Sequence, residues 1–258
     1  MEKKYRFEVC ANGVESCLAA ERGGADRVEL CAGIPEGGTT PSYGEIKTAR
    51  RMLSKTRLHV IIRPRGGDFL YSPLEIERME EDIRICRRLG VDGVVVGCLL
   101  ADGALDMDAN RCLIAAAKGE GEKEGKPMSV TFHRAFDRCR DARLALEQLV
   151  ELGVDRVLTS GQQPTAELGI PLLKELNAQA AGRITILAGC GVNEGNIRKI
   201  QLSTGVHEFH FSARTPVKSR MEYINSDVYM GAKDADEGTL MYTSEDRVRA
   251  TIGALEED

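Results

Sequence analysis

The sequence predicts a (β/α)8 barrel on three observations. Strand-like and helix-like segments alternate almost without interruption along the 258 residues. One helix-to-strand junction recurs, as GGAD before Arg27 and as LGVD before Gly93 and Arg156. Two strand-like stretches, FEVC at 7–10 and RVELC at 27–31, each carry a glutamate two positions before a cysteine. Strands are expected at 5–10, 26–31, 57–63, 92–97, 128–133, 155–160, 184–189 and 207–211, and helices at 14–22, 42–54, 73–89, 106–118, 140–151, 165–180, 193–203 and 244–256. Short apolar strands separated by helices pair in parallel. The count alone also fits an open doubly wound sheet. The repeated junction, in which a glycine ends a helix and a short apolar strand follows, favours the closed barrel.

Taken in order, strand one places Glu8 and Cys10 on one face by period-two alternation, and strand two does the same for Glu29 and Cys31. A core strand has no packing reason to carry an inward glutamate. The intervening GVESCLAAERGGAD reads as one helix and a turn, so the strands should be parallel neighbours. Their carboxylates and thiols are expected to converge at the C-terminal ends, where a barrel keeps its chemistry. The loop after strand two carries Gly37-Gly38 and leads to Ser42, an N-cap candidate with Glu45 three residues on. Strand three ends in IIRPRGGDF, with Arg63 and Arg65 at the same parity, each a candidate for carboxylate or phosphate or for pairing with Glu8 or Glu29.

Helix 73–89 and helix 106–118 contain Cys86 and Cys112, both read as small buried residues. The charged stretch 118–127 is a solvated connection. Strand five ends in FHRAFD, placing His133 at the barrel mouth for proton transfer or ligand binding; Asp137 is expected to orient it or else to pair with Arg134. His207 and His210 differ in parity and make no two-histidine metal pair. After strand seven, Gly189 and Gly191 precede a helix with Asn193 as its expected N-cap, and strand eight is followed by Ser212 and Arg214. In barrels these two loops often form an anion cradle, with ordinary capping as the alternative. Residues 215–243 have no firm period and read as a long irregular segment, able to cover the mouth or form an oligomer contact, before the terminal helix 244–256.

A net charge of −5 with interspersed signs offers neither a basic stripe for nucleic acid nor a basic amphipathic surface for a membrane. The eight cysteines lack zinc-site spacing, and a chain with this much core does not need a disulfide framework. The N-terminus enters a strand directly and no apolar run reaches transmembrane length, which reads as a soluble cytoplasmic protein.

The motifs FEVC, GGADRVELC, GGTTPSYG, IIRPRGGDF, FHRAFD, VLTS, ILAGCGV and EFHFSAR, spread over residues 7–214, closely resemble the CutC family of copper homeostasis proteins. The resemblance implies a barrel fold, a cytoplasmic role in copper handling, homo-oligomerisation, and copper(I) held by Cys10 and Cys31. Thiolates suit copper(I). The polar group Glu8, Glu29, Arg63, Arg65, His133 and Asp137 exceeds what two sulfurs need. It supports an alternative, an isomerase, lyase or hydrolase acting on a small anionic or sugar-derived metabolite, with Glu8 or Glu29 as base and His133 as acid. A noncatalytic binding protein is the third reading.

Overall fold

The structure of the chain, a computed structural model, describes residues 3–120, 126–223, 225, 228, 230 and 236–256. Eight parallel strands close into a barrel in chain order: β1 (Arg6–Ala11), β2 (Arg27–Leu30), β3 (Arg57–Ile61), β4 (Gly93–Val96), β5 (Ser129–Phe132), β6 (Arg156–Thr159), β7 (Thr185–Gly189) and β8 (Glu208–Phe211), with β8 returning to β1. The open-sheet alternative is thereby excluded. β2, β4 and β6 are buried along their whole length and β3, β5, β7 and β8 at every position but the first, because helices cover the outside and side chains fill the inside; β4, Gly93-Val-Val-Val96, carries no polar residue at all.

Eight helices surround the barrel among the described residues: α1 (Val14–Gly23), α2 (Tyr43–Met52), α3 (Pro73–Arg88), α4 (Met107–Lys118), α5 (Ala142–Glu151), α6 (Ile170–Ala180), α7 (Ile197–Thr204) and α8 (Glu245–Glu256). Ser42 caps α2 by accepting from Glu45 N–H, and Ser72 with Glu75 forms a full capping box at α3. Two helices start later than their patterns predict. Pro171 sits in the first turn of α6, and residues 193–196 form a side-chain turn in which Asn193 Oδ1 accepts from Gly195 N–H at 2.8 Å, delaying α7 to Ile197. Cys86 is buried as expected, whereas Cys112 is exposed. Half of 118–127, residues 121–125, lies outside the described residues.

The recurrent junction has a structural cause. Gly24, Gly90 and Gly153 all take left-handed backbone conformations at helix ends. The aspartate two residues later then reaches back to the preceding odd-numbered strand: Asp26 accepts from Phe7 N–H at 3.0 Å, Asp92 from Leu58 N–H at 2.8 Å and Asp155 from Val130 N–H at 2.7 Å. Each fastens the N-terminal rim of one strand pair, where the ladder would leave an amide unpaired. The expected irregular segment 215–243 is partly corrected: its ends pair as an antiparallel ribbon, β9 (Arg214–Lys218) with β10 (Thr239–Thr243), and the connection between them lies partly outside the described residues. No helix among the described residues is long and apolar enough to cross a membrane.

Replacing Asp155 by Ala strands the Val130 amide without its acceptor and should lower the unfolding free energy by about 1–3 kcal/mol. Urea denaturation checks this: the midpoint should fall with an unchanged slope, and an unmoved midpoint would contradict the fastening role.

Candidate functional site

Closure of the barrel staggers the strands, and the stagger changes what the two Glu-x-Cys motifs do. Cys10 lies level with Glu29, while Glu8 lies level with Arg27 on one side and His210 on the other. The two glutamates therefore sit at different depths rather than converging at the mouth. Glu8 is fully buried, receives Arg27 Nε–H in a short ion pair, and meets His210 Nδ1 at 2.8 Å. Burial opposes its ionisation, but the Arg27 charge and the His210 contact outweigh that and hold its carboxyl well below the usual carboxylate range. Arg27 continues to Glu208 at 2.7 Å, and Arg156 lies 3.4 Å from the same carboxylate. His59, beside this layer, is kept neutral by burial and by Arg27.

His210 is the functional residue that the sequence reading missed. Burial disfavours its charge, yet contacts with Cys10, Glu8 and Glu29 raise its pKa well above the ordinary value. Its Nε2 faces Glu29 Oε2 at 3.6 Å. Strand parity held the missing signal: His210 alternates with Glu208 and Ser212, and a closed barrel puts β8 against β1. Comparing it only with His207 concealed this. Gly189 of β7 makes room for it, since a Cβ there would lie 3.1 Å from His210 Cβ and 2.4 Å from Leu158 Cδ1.

Above Glu8 the sulfurs meet. Cys10 Sγ and Cys31 Sγ are 3.8 Å apart, Cys31 Sγ is 3.4 Å from Glu29 Oε2, and Arg214 Nη2–H donates to Cys10 Sγ at 3.1 Å. The contact from Cys31 lowers the Cys10 pKa well below a free thiol's against the cost of burial, with His210 and Arg214 adding to it. The same contact, with burial, raises the Cys31 pKa well above a free thiol's. The opposite shifts favour a thiolate at Cys10 beside a thiol at Cys31. Glu29 is pushed up to about 8 by burial, with the charges of Cys10 and Glu8 adding to the effect and His210 opposing it. Cys10, Glu29 and His210 offer donor atoms within 4.8 Å of one another, a grouping able to hold a metal ion.

These residues line one side of a cleft of about 320 Å³ at the C-terminal mouth, together with Ile61, Arg63, Phe69, His133, Asp137, Arg138 and Leu158. His133 Nδ1 accepts from Ala135 N–H at 3.2 Å, and burial beside Arg63 lowers its pKa to about 3. A ring neutral at physiological pH is a poor general acid. Asp137 does not orient His133. It accepts from Arg134 at 2.7 Å and Thr159 Oγ1 at 2.6 Å and from the backbone of Ser160 and Gln162, organising the loop. Arg63 donates to the carbonyls of Glu36, Gly38 and Gly67, while Arg65 is taken up by Glu75 and Asp68 outside the cleft; neither pairs with Glu8 or Glu29.

Of the expected cradle residues Gly189, Gly191, Ser212 and Arg214, the Arg214 side chain is directed to the sulfur pair. The Gly191 carbonyl accepts from the side-chain amides of Asn193 and Asn196, the Ser212 carbonyl accepts from Thr243 Oγ1, and Arg214 turns to Cys10.

Glu29 carries a testable pH signature. Between its ordinary pKa near 4.5 and about 8, the folded chain holds a proton that the unfolded chain has lost, so this group makes stability fall as pH rises through that window. Glu29→Gln should therefore gain stability over the parent between pH 5 and pH 8, by roughly a few kcal/mol. Urea midpoints at the two pH values check it, and parallel profiles would contradict the buried neutral carboxyl.

The CutC family model matches residues 5–215. A family protein CutC of Bacteroides thetaiotaomicron is 63% identical over 254 residues, covering 98% of this chain and 99% of its own. The human copper homeostasis protein cutC homolog is 46% identical over 252 residues, covering 97% of this chain and 89% of its own. The crystal structure of a CutC protein from Streptococcus agalactiae superposes with a TM-score of 0.75 at 36% identity, covering 81% of this chain and 98% of that one. With matches of this extent, the chain belongs to the CutC family.

Proposed function

We propose that the chain is a cytoplasmic copper-handling protein that takes copper(I) between Cys10 and Cys31, with His210 beside them. The observation that carries this reading is the pair of sulfurs 3.8 Å apart, lining an open cleft, with their pKa values pushed in opposite directions. Soft thiolates select copper(I) over hard divalent ions. Charge accounting favours a monovalent ion as well. A copper(I) ion replacing the Cys31 proton leaves the net charge of the buried cluster unchanged, whereas a divalent ion adds a positive charge beside Arg214 and the protonated His210, at a desolvation cost. The names carried by the human and other relatives agree with such a role.

A reduced, anaerobic competition titration against a high-affinity copper(I) chelator tests it. One ion per chain is expected, and the Cys10→Ser/Cys31→Ser double variant should lose at least about a hundredfold in affinity, a difference of about 2.7 kcal/mol. Equal affinity in parent and variant would reject the site.

Glu29 favours a second reading, proton transfer on a small bound metabolite. A buried carboxyl titrating at about 8 in a cleft is suited to exchange protons near neutral pH, a role the neutral His133 cannot take as an acid. Glu29→Gln separates the two readings, since copper(I) binding should persist in it while proton transfer is lost.

A further inference from the structure

The wall of the cleft formed by β3 and β5 contains polar groups that neither the fold nor the sulfur pair uses. Arg63 is 5% exposed, and apart from the Tyr71 hydroxyl beside it its hydrogen-bond partners are the backbone carbonyls of Glu36, Gly38 and Gly67; among the described residues no carboxylate lies within ion-pair distance of it. Its Nε is buried without a hydrogen-bond partner. On a guanidinium, Nε–H and the adjacent Nη2–H form the edge that grips an oxyanion with two parallel bonds. Nη2 makes a single bond, to the Gly67 carbonyl, which leaves that edge with capacity.

His133 repeats the pattern. With Nδ1 accepting from Ala135, the neutral ring carries its proton on Nε2, and that buried donor also lacks a partner. The Phe69 ring packs against both, its centre 5.1 Å from the Arg63 guanidinium carbon and 5.0 Å from the His133 ring centre. Arg138, exposed at the rim of the same cleft, adds a further positive charge. Burying a guanidinium without a counter-charge, and the Arg63 Nε and His133 Nε2 donors without acceptors, is costly, and sites carry that cost where a ligand supplies what is missing.

The geometry points to a second subsite in this cleft: Arg63 and His133 Nε2 bind the oxyanion of a small carboxylate or phosphate ester, with its carbon chain against Phe69, Ile61 and Leu158. β5 lies across the closed barrel from β1, so this subsite faces Cys10 over the mouth. It uses no group of the sulfur cluster and holds whether or not Cys10 and Cys31 take copper(I).

The test titrates the metal-free full chain with butyrate and, separately, with inorganic phosphate, following the His133 imidazole nitrogens by long-range ¹H–¹⁵N correlation. A saturable shift at Nε2 with one probe or both is expected, and the stronger binder identifies the ligand as carboxylate or phosphate. His133→Asn keeps an acceptor for the Ala135 amide but removes the donor, and by thermal-shift titration it should weaken binding about tenfold. Arg63→Gln should abolish binding, and the exposed Arg138→Gln, which leaves the fold intact, should weaken it severalfold if Arg63→Gln does not fold. No shift at Nε2 with either probe, or equal affinity in the parent, His133→Asn and Arg138→Gln, would overturn the subsite.

Discussion

The Glu8 carboxylate, sealed inside the barrel between Arg27 and His210, is the constraint on which the site depends. A carboxylate without water is tolerated only when paired and hydrogen-bonded, and Arg27 provides the pairing while itself being shared with Glu208. That leaves one Glu8 oxygen for His210, which fixes the imidazole's orientation and favours its charge. The Cys31 contact lowers the Cys10 pKa most, and a charged His210 beneath Cys10 adds to it. The chemistry at the mouth is thus supported from the inward position below it. Removing Arg27 would disturb the sulfur pair without touching it.

Stagger is the second determinant. Two nearly identical Glu-x-Cys motifs enter adjacent strands, yet the offset between β1 and β2 sends one glutamate to the deep ion chain and the other to the cleft. The same offset places Cys10 level with Glu29 and Cys31 one step higher, so the two sulfurs approach diagonally and experience different surroundings. Cys10 meets Arg214 and His210, whereas Cys31 meets a neutral carboxyl and the apolar side chains of Ile61 and Val95. Asymmetry between thiolate and thiol follows from position alone.

The fold was legible because the barrel repeats itself: alternating periods and the Gly-x-Asp junctions are local signals, and the aspartates proved to fasten strand pairs. Cys10, Cys31 and Glu29 were legible for a similar reason, since an inward carboxylate in an apolar strand has no packing explanation. Quantities set by neighbours distant in sequence were not. His210 acquires its role from Glu8, 202 residues away. Burial beside Arg63 keeps His133 neutral, and Arg214 leaves its own loop for Cys10. In each case the residue's position on its strand was readable, but its partner lay on another strand or loop whose register the sequence does not state.

X-ray absorption at the copper edge of the copper(I)-loaded chain counts the atoms around the ion. Two sulfur neighbours at one short distance are expected, replaced by nitrogen and oxygen neighbours in Cys10→Ser/Cys31→Ser. A shell of nitrogen and oxygen alone in the parent chain would contradict the two-sulfur site.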